Sequence, residues 1–434
     1  MLATPRSDQD NFLQLVTKLY GELALKDGLQ RARALAWERF QEIGLPSRAM
    51  EVYRYIRLRN FFSKDFKLAQ QASVTPEQIA PFIYPESRGS YLVFVNGYYE
   101  PALSDISALP TKVVVSPLSE AILSYGTFLN NHWTKAHKEE KDPFAALNAA
   151  AHPQGTFIYV PPQTLVSSPI QILNIVTEAN ALSMPRILLF AGRLAEVTLC
   201  ERLVELDCHG YCQNAVTELI IEEGASVKCI LEDSSLSDDA WHFNALRATL
   251  KRDSRLKVVS FTDGAMTVRN DYSVALTGEN GDACLNGVCM LDEKREAHTN
   301  ILIDHQAPSC RSNQLFKSVL TDISRSSFEG KIYVRQAAQK TEAYQLNNNL
   351  ILSDKASADS KPNLEIFADD VKASHGATIG QLDPDQLFYC ETRGYSADEA
   401  RNLLIHGFCE EVIDLIALPS VLERLSTRAR RFLA

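Results

Sequence analysis

One histidine stands out among the residues whose chemistry could serve a function. The chain has nine histidines, and His375 lies in the stretch DDVKASHGATIGQLD between the small residues Ser374, Gly376 and Ala377. Imidazole is a metal ligand and a proton acceptor near neutral pH, and small neighbours leave it open to another molecule. A lone histidine is more often simply solvated or hydrogen-bonded, and it cannot complete a metal site. If His375 binds metal, we expect the other ligands to come from a second subunit.

The cysteines offer a second candidate metal site. The segment LCERLVELDCHGYC contains four soft ligands: Cys200, Cys208, His209 and Cys212. Such residues can hold zinc or an iron-sulfur centre, but their spacing is loose and no matching C-x-x-C pair follows. Because cysteine is among the residue types most often buried, we predict interior thiols of adjacent strands, here and at Cys284 and Cys289. Nine scattered cysteines, an odd number, fit reduced thiols better than a disulfide framework.

Two polar clusters precede His375 in the sequence. Three successive asparagines, Asn347 to Asn349, indicate a polar ladder at a corner of the fold rather than a ligand site. Asp369 and Asp370 could bind a hard cation, but a solvated turn is the better interpretation. Neither cluster predicts catalysis.

Composition and missing motifs exclude several function classes. The net charge of -10 argues against a large nucleic-acid footprint, which needs an excess of Lys and Arg. The chain lacks both common nucleotide-binding motifs and the hydrolase and metalloprotease signatures, so any nucleotide hydrolysis must come from a partner. The N-terminus lacks the basic start and apolar core of a secretion signal, and no apolar run approaches the roughly 20 residues of a membrane span. We expect a cytoplasmic protein that is not an enzyme.

The elements that must position His375 fall into three regions, 1–155, 156–382 and 383–434. The first is predicted to be helical to about Phe62, with Phe12, Leu15, Val16 and Leu19 on one face. Asn96-Gly97 predicts a β-hairpin, and DPFAALNAAAH a further helix. The last region is predicted to be helical, with capping boxes at Ser396/Glu399 and Ser420/Glu423. Its apolar face would comprise Leu403, Leu404, Phe408, Val412, Leu415 and Ile416.

The middle region carries short apolar runs at intervals of roughly 10 to 15 residues. Phrases such as EEGASVKCI and GENGDACLNGV place a small or polar turn directly before a strand that is apolar on both faces. A turn followed directly by a strand is the order expected where one coil of a solenoid leads into the next. The pattern therefore favours a mainly β fold, a parallel β-solenoid whose coils bury their faces by stacking. A β-sandwich is the alternative.

The longest segment that resembles a known family is YQLNNNLILSDKASADSKPNLEIFADDVKASHGATIGQLDPDQLFYCETRGYSADEARNLLIHGFCEEV. It resembles the C-terminal part of the SufB/SufD family, scaffold proteins of iron-sulfur cluster assembly, and within that family the SufD branch. Weaker matches are GLPSR with YRY, YLVFVNGYYEPALS, and DPFAALNAA with GTFIYVPP, so the resemblance spans nearly the whole chain. SufB carries a cysteine in the strand that here reads QLNNNLILS. This chain has Asn347 near that position, which favours SufD.

The resemblance implies a right-handed parallel β-helix core with N-terminal and C-terminal α-helical domains. It implies pairing with SufB through the C-terminal strands, docking of the ATPase SufC on the C-terminal helices, and iron or a nascent cluster bound only transiently. His375 falls on the histidine of the family's SHGAT motif, while Ala373 replaces a cysteine that many relatives have, so no thiolate comes from that position. The implied partner interface comprises Asn347, Ser374, His375, Phe388, Arg393, Leu403 and Phe408.

The leading hypothesis is therefore a non-catalytic scaffold subunit of the SufBCD complex, with ATP hydrolysis supplied by SufC. One rival is a carbohydrate-active β-helix enzyme, which predicts secretion and an acidic groove. Another is a homodimeric interaction protein without a role in iron chemistry. Co-purification with an ATPase subunit would separate the first hypothesis from the last.

Overall fold

The computed structural model describes residues 8–23, 28–430 and 432. The α-helices are α1 (Asp8–Leu23), α2 (Gln30–Ile43), α3 (Leu58–Phe62), α4 (Pro76–Ile79), α5 (Leu118–Glu139), α6 (Pro143–Ala151), α7 (Pro384–Thr392), α8 (Ala397–Ile413) and α9 (Pro419–Arg430). The strands before the central region are β1 (Lys67–Leu68), β2 (Tyr91–Val95), β3 (Tyr98–Tyr99) and β4 (Val114–Pro117).

The central strands run from β5 to β21. They are β5 (Gly155–Val160), β6 (Ile170–Val176), β7 (Ala181–Ser183), β8 (Arg186–Ala191), β9 (Glu196–Glu205), β10 (Cys212–Ile221), β11 (Ser226–Asp233), β12 (Trp241–Leu250), β13 (Arg255–Thr262), β14 (Thr267–Leu276), β15 (Asp282–Leu291), β16 (Glu296–His305), β17 (Arg311–Leu320), β18 (Arg325–Val334), β19 (Thr341–Ile351), β20 (Ser357–Ile366) and β21 (Val371–Gly380).

These strands form a parallel β-solenoid, as predicted. Alternate strands belong to two facing sheets, one ordered β5-β8-β10-β12-β14-β16-β18-β20 and the other β6-β9-β11-β13-β15-β17-β19-β21. Each coil contributes one strand to each sheet and pairs in parallel with the coils before and after it. Apolar side chains from both sheets, such as Leu189, Val227 and Ile303, fill the space between them. A coil therefore buries its apolar surface only because other coils lie against it.

The coils are joined at corners by residues with left-handed backbone. Leu194, Gly224, Asp253, Asn280 and Ser309 have positive φ at equivalent corners. Each donates its backbone N–H to a carbonyl in the next coil; Asp253 N, for example, lies 2.9 Å from Glu279 O. These bonds satisfy the corner backbone that the sheets leave unpaired. The small or polar residues seen before each strand in the sequence are thus the corners of the solenoid.

The N-terminal helices pack on the outside of the first of these sheets. On α1, Phe12, Val16 and Leu19 are buried and Leu15 is partly buried, which confirms the predicted face. The Phe12 ring lies 5.3 Å from that of Phe61. The predicted helix at DPFAALNAAAH is α6, which is entirely buried. The Asp142 carboxylate before it accepts from Ala145 N at 2.9 Å and lies 2.9 Å from the Arg269 guanidinium on β14. A buried ion pair thus joins the helices to the solenoid.

The two ends of the solenoid differ. At the N-terminal end, β2 pairs in parallel with β6 and is covered in turn by β3, through a hairpin in which Asn96 and Gly97 both have positive φ. Two positive φ values are typical of a type I′ turn, which confirms the predicted hairpin. On the other sheet, β4 pairs antiparallel with β5. At the C-terminal end, β20 and β21 pair on one side only within the described residues.

The C-terminal helices confirm one predicted cap and correct another. Ser396 and Glu399 form the capping box at the start of α8. The prediction for Ser420 and Glu423 is wrong, because α9 begins one residue earlier, at Pro419. Ser420 instead donates its backbone N–H and its hydroxyl to the Glu86 carboxylate, at 2.8 and 2.6 Å. A partner distant in sequence has replaced the local one.

The predicted apolar face of α8 is also partly wrong. The residues that α8 buries are Ala400, Ile405, His406, Cys409, Val412 and Ile413. Leu403 remains 44% exposed and Phe408 is half-buried, while Leu415 and Ile416 follow the end of the helix. Small residues such as Ala400 and Cys409 let the helix lie close to its neighbours, so the buried face is rotated relative to the row of leucines.

Candidate functional site at the open end of the solenoid

His375 lies on β21, the last strand of its sheet, and its side chain is exposed. In the parallel register, His375 is opposite Gln345 and Ser374 is opposite Tyr344 of β19. Side chains alternate along a strand, and on β19 Ala343, Gln345 and Asn347 are buried whereas Tyr344 is exposed. His375 therefore stands on the same face as Gln345, toward the interior of the solenoid, where no further coil among the described residues covers it.

Beneath this histidine, the asparagine run is a strand segment and not a corner, so that prediction is wrong. Asn347 to Asn349 lie within β19. Asn347 is buried, and its Nδ2 donates to Phe316 O at 3.2 Å. Asn349 Nδ2 donates to Asn347 Oδ1 at 2.8 Å and to Thr378 O of β21 at 3.1 Å. The asparagines thus hold the last strand on the one before it.

Apolar side chains surround the open end. Tyr344, Leu346, Ile366, Phe367 and Ile379 are all exposed, and they lie on β19, β20 and β21 or directly after β20. Ile379 of β21 is 55% exposed, whereas Asn349, the residue opposite it on β19, is buried. Exposed apolar side chains concentrated at one end of a soluble protein favour an interaction surface there.

The edges of the two sheets at this end differ in chemistry. β20 contains Pro362, which cannot donate a backbone hydrogen bond, and Lys361, which forms ion pairs with Glu51 and Glu329. Proline and lysine are the residues with which proteins protect edge strands from pairing. β21 has no proline, its lysine, Lys372, lies near the start of the strand and pairs with Glu342, and small residues flank His375. The edge of β21 is therefore the one suited to pairing.

The C-terminal helices carry the remaining residues of the implied interface. Phe388 on α7 is 67% exposed, and Leu403 on α8 is also exposed. Arg393 is exposed and stacks on the Tyr389 ring, with its guanidinium 5.0 Å from the ring centroid. Phe408 instead packs partly into its own domain. The structure thus separates the implied interface into residues on β19 and β21 and residues on α7 and α8.

One residue that the sequence interpretation missed joins these two parts. The Lys317 side chain is buried on β17, and its Nζ donates to Phe408 O at 2.8 Å and to the Glu411 carboxylate at 2.5 Å. Its ammonium also lies 4.6 Å from the centroid of the Phe408 ring. Burial of a lysine charge requires such partners. Lys317 therefore anchors α8 to the solenoid near its open end.

The predicted interior strand thiols are found at Cys200, Cys212, Cys284 and Cys289, but Cys208 lies in the turn between β9 and β10, so the strand prediction is wrong for that cysteine. All nine are free, Cys200, Cys208 and Cys212 are buried, and Cys284 and Cys289 are half-buried. Burial raises the pKa of Cys208 to about 11 and that of Cys289 to about 11, which keeps both thiols protonated at neutral pH. Throughout residues 8–23, 28–430 and 432, no three His, Cys, Asp or Glu side chains lie in an arrangement that could hold a metal ion.

Other predicted polar residues have structural surroundings. His209 is exposed beside Asp239, with its Nδ1 3.4 Å from the carboxylate. Asp369 and Asp370 lie in a turn before β21, as predicted, and the backbone N–H of Asp370 donates to Gln339 Oε1 at 2.9 Å. None of the helices in the described part of the chain is long and apolar enough to cross a lipid bilayer.

Fold and site together define a β-solenoid protein with helical domains and an end at which the unprotected edge of β21 carries an exposed imidazole. Two family models match this chain: the SUF system FeS cluster assembly SufBD core domain over residues 174–408, and the SufBD protein N-terminal region over residues 10–172. The chain therefore belongs to the SufB/SufD family of iron-sulfur cluster assembly proteins.

Individual relatives agree with this assignment. The chain is 31% identical over 88% of its length to an iron-sulfur cluster assembly SufBD family protein of Synechocystis, of which it covers 86%. It is 29% identical to the iron-sulfur cluster assembly protein SufD of Escherichia coli, over 86% of each chain. It is 28% identical to the chloroplastic protein ABCI7 of Arabidopsis thaliana, over 93% of this chain and 86% of that protein.

Proposed function

We propose that this chain is a non-catalytic scaffold subunit of an iron-sulfur cluster assembly complex in the cytoplasm. It pairs with SufB through β21, receives the ATPase SufC on its C-terminal helices, and presents His375 to iron or a nascent cluster at the junction. The observation that carries this proposal is the open edge of β21 with an exposed imidazole on it.

The pairing follows from the chemistry of an edge strand. β21 has one side of its backbone unpaired within the described residues, and such a side accepts a strand from another chain. A partner that is itself a solenoid would continue the sheet and cover Tyr344, Leu346 and Ile379, which are exposed in the single chain. SufB is the partner we propose, because the matching family models describe a core and an N-terminal region shared by SufB and SufD.

At such a junction His375 would be one ligand among several. Imidazole binds iron through a neutral ring nitrogen, and one histidine leaves most coordination positions open. Ala373, the next residue on the same face of β21, has no ligand atom. The thiolate ligands therefore come from SufB, and iron and sulfide are cargo rather than a resident cofactor.

The C-terminal helices provide the surface for SufC. Phe388, Tyr389, Tyr395 and Leu403 are exposed there. Because Lys317 ties α8 to β17, a force applied by the ATPase to these helices reaches the solenoid close to β19 and β21. ATP-driven movement of SufC can then open the junction, provided that the helices make different contacts in its two states.

Iron loading tests the role of His375. The chain is expressed anaerobically with SufB and SufC, and iron bound per complex is compared for native protein, His375→Ala and the control His209→Ala. His209 is also an exposed histidine, but it lies in a turn between β9 and β10. We expect His375→Ala to lower iron loading and the control to leave it unchanged. Equal loading in all three proteins would remove His375 from the mechanism.

Blocking the edge tests the pairing. Ala377→Lys places a charge on β21 next to His375, where it would have to be buried by a docked strand. We expect this variant to lose co-purification with SufB. Leu165→Lys, in an exposed loop between β5 and β6, is the matched control and should pair normally. Normal pairing of both variants would exclude β21 as the contact.

A third comparison tests the helical surface. Phe388→Glu introduces a charge into the exposed apolar patch on α7, and Leu123→Glu introduces one at an even more exposed apolar residue on α5. We expect only Phe388→Glu to weaken binding of SufC, measured by titration of purified SufC. Equal SufC affinity in the two variants would place the contact elsewhere.

A further inference from the structure

Two buried amides form a column beneath His375. In the register of the sheet, Gln314 of β17 lies opposite Gln345 of β19, and Gln345 lies opposite His375 of β21. Gln345 Nε2 donates to Gln314 Oε1 at 2.9 Å. Both glutamines are buried among apolar side chains of the interior. The column therefore runs along the inner face of the sheet and ends at the exposed imidazole.

The upper amide has an unused acceptor. Gln345 Oε1 is buried and has no hydrogen-bond partner among the described residues, and the same holds for Gln314 Nε2. A buried acceptor without a partner is costly, so a nearby donor gains by meeting it. Neighbouring strands of a sheet are about 4.8 Å apart, which brings side chains at one register position within reach of each other. His375 is the residue at that position on the next strand.

Space for the amide is provided by a glycine. A Cβ atom added at Gly330 of β18 would lie 2.1 Å from Gln345 Nε2, so any other residue there would displace the amide. The opposite sheet thus leaves room for Gln345 to occupy the interior. This arrangement is unusual for a position that an apolar side chain could fill, as Leu285 does in the same column.

We propose that Gln345 is a positioning residue for His375. Its Oε1 accepts the N–H of the imidazole, which fixes the ring orientation and the tautomer and leaves the other ring nitrogen as an acceptor at the open end. Histidines that bind metals commonly donate their second ring N–H to an oxygen in this way. The inference concerns the ring of His375 itself, and its consequence for iron rests on the function proposed above.

The tautomer of His375 tests this inference without any metal. Nitrogen-15 chemical shifts of the histidine rings are measured in the full chain, and His375→Asn identifies the signals of His375. We expect one dominant tautomer in native protein and a mixture in Gln345→Leu, which removes the acceptor. Gln345→Glu, which keeps an acceptor oxygen, should retain one tautomer. Gln314→Leu, the control, removes the lower amide but not the acceptor and should also retain it.

The outcomes separate the inference from the proposed function. An unchanged tautomer in a folded Gln345→Leu protein would overturn the positioning role. If Gln345→Leu does not fold, Gly330→Ala displaces the amide without deleting it and should produce the same mixture; a native tautomer there would equally overturn the role. In the anaerobic complex, we expect Gln345→Leu to weaken iron(II) binding about 10- to 100-fold. Iron binding that is unchanged in His375→Ala would contradict the proposed function but would not affect the conclusion from the tautomer measurement.

Discussion

The two ends of the solenoid face the same physical problem and solve it differently. Every coil has strand edges and apolar faces that only another coil can satisfy. At the N-terminal end, the chain supplies the cover itself through β2, β3 and β4, and Phe94 of β2 is fully buried. At the C-terminal end, β21 is left uncovered and its residues are half-buried or exposed. The first end is thus completed by folding, and the difference supports our proposal that the second end is completed by association.

Shortening a buried side chain of β2, the strand that covers the first coil, should have the largest effect on stability. Phe94→Ala removes a buried ring that packs against Tyr99, with ring centroids 5.5 Å apart, in the main core of the solenoid. We expect the free energy of unfolding to fall by about 3–5 kcal/mol. Urea denaturation followed by circular dichroism measures it. A loss below about 1 kcal/mol would mean that the hairpin is not part of the cooperative core.

A smaller effect on stability is expected from a carboxyl group that is buried in the covered part of the solenoid. Burial raises the pKa of Glu201 on β9 from 4.5 to about 7, although Thr217 donates a hydrogen bond to it. The carboxyl thus stays protonated in the folded protein while the unfolded chain ionises. Stability should therefore fall as pH rises from about 4.5 to about 7 and then level off.

Glu201→Gln, which cannot ionise, should remove this part of the pH dependence. We expect the variant to match native protein near pH 4 and to exceed its unfolding free energy by up to about 3 kcal/mol at pH 8. The measurement is urea denaturation across this pH range. If the unfolding free energies of the two proteins changed with pH in parallel, burial would not raise the pKa of Glu201.

The smallest effect is expected at the uncovered end. Ile379→Ala shortens an apolar side chain that is 55% exposed. In the isolated chain we expect a change within about 0.5 kcal/mol in the free energy of unfolding. In the complex with SufB, the same change should lower the affinity, which a titration of the two purified proteins measures. A large loss of stability in the isolated chain would mean that this end is already covered.

Much of the fold could be predicted because the solenoid repeats its local chemistry. Corner residues such as Gly224 and Asn280 precede strands that are apolar on both faces, and this order distinguishes stacked coils from hairpins. The Asn96-Gly97 hairpin could also be predicted from the sequence. Its position as the cover of the first coil was not, because the pairing of β2 with β6 joins residues far apart in the sequence.

The candidate site could be predicted only in part. His375 was recognised from its small neighbours, whereas Gln345 and Lys317 were missed, since their importance depends on what lies opposite them. The coil length provides a usable signal: Gln345 and Gln314 are 31 positions apart, and Thr378 lies 30 positions after Asn348 in the same register. Counting one coil back from His375 would have reached Gln345. No comparable count relates Lys317 to α8.

The protected edge of β20 determines how far assembly can proceed. A stack of identical coils with two receptive ends would add copies head to tail without limit and form a fibre. Here the first end is closed by its own antiparallel strands, and at the last end Pro362 and Lys361 exclude one of the two sheets. On the function proposed above, we expect growth along the axis to stop after a single joining event and the product to be one pair of solenoids.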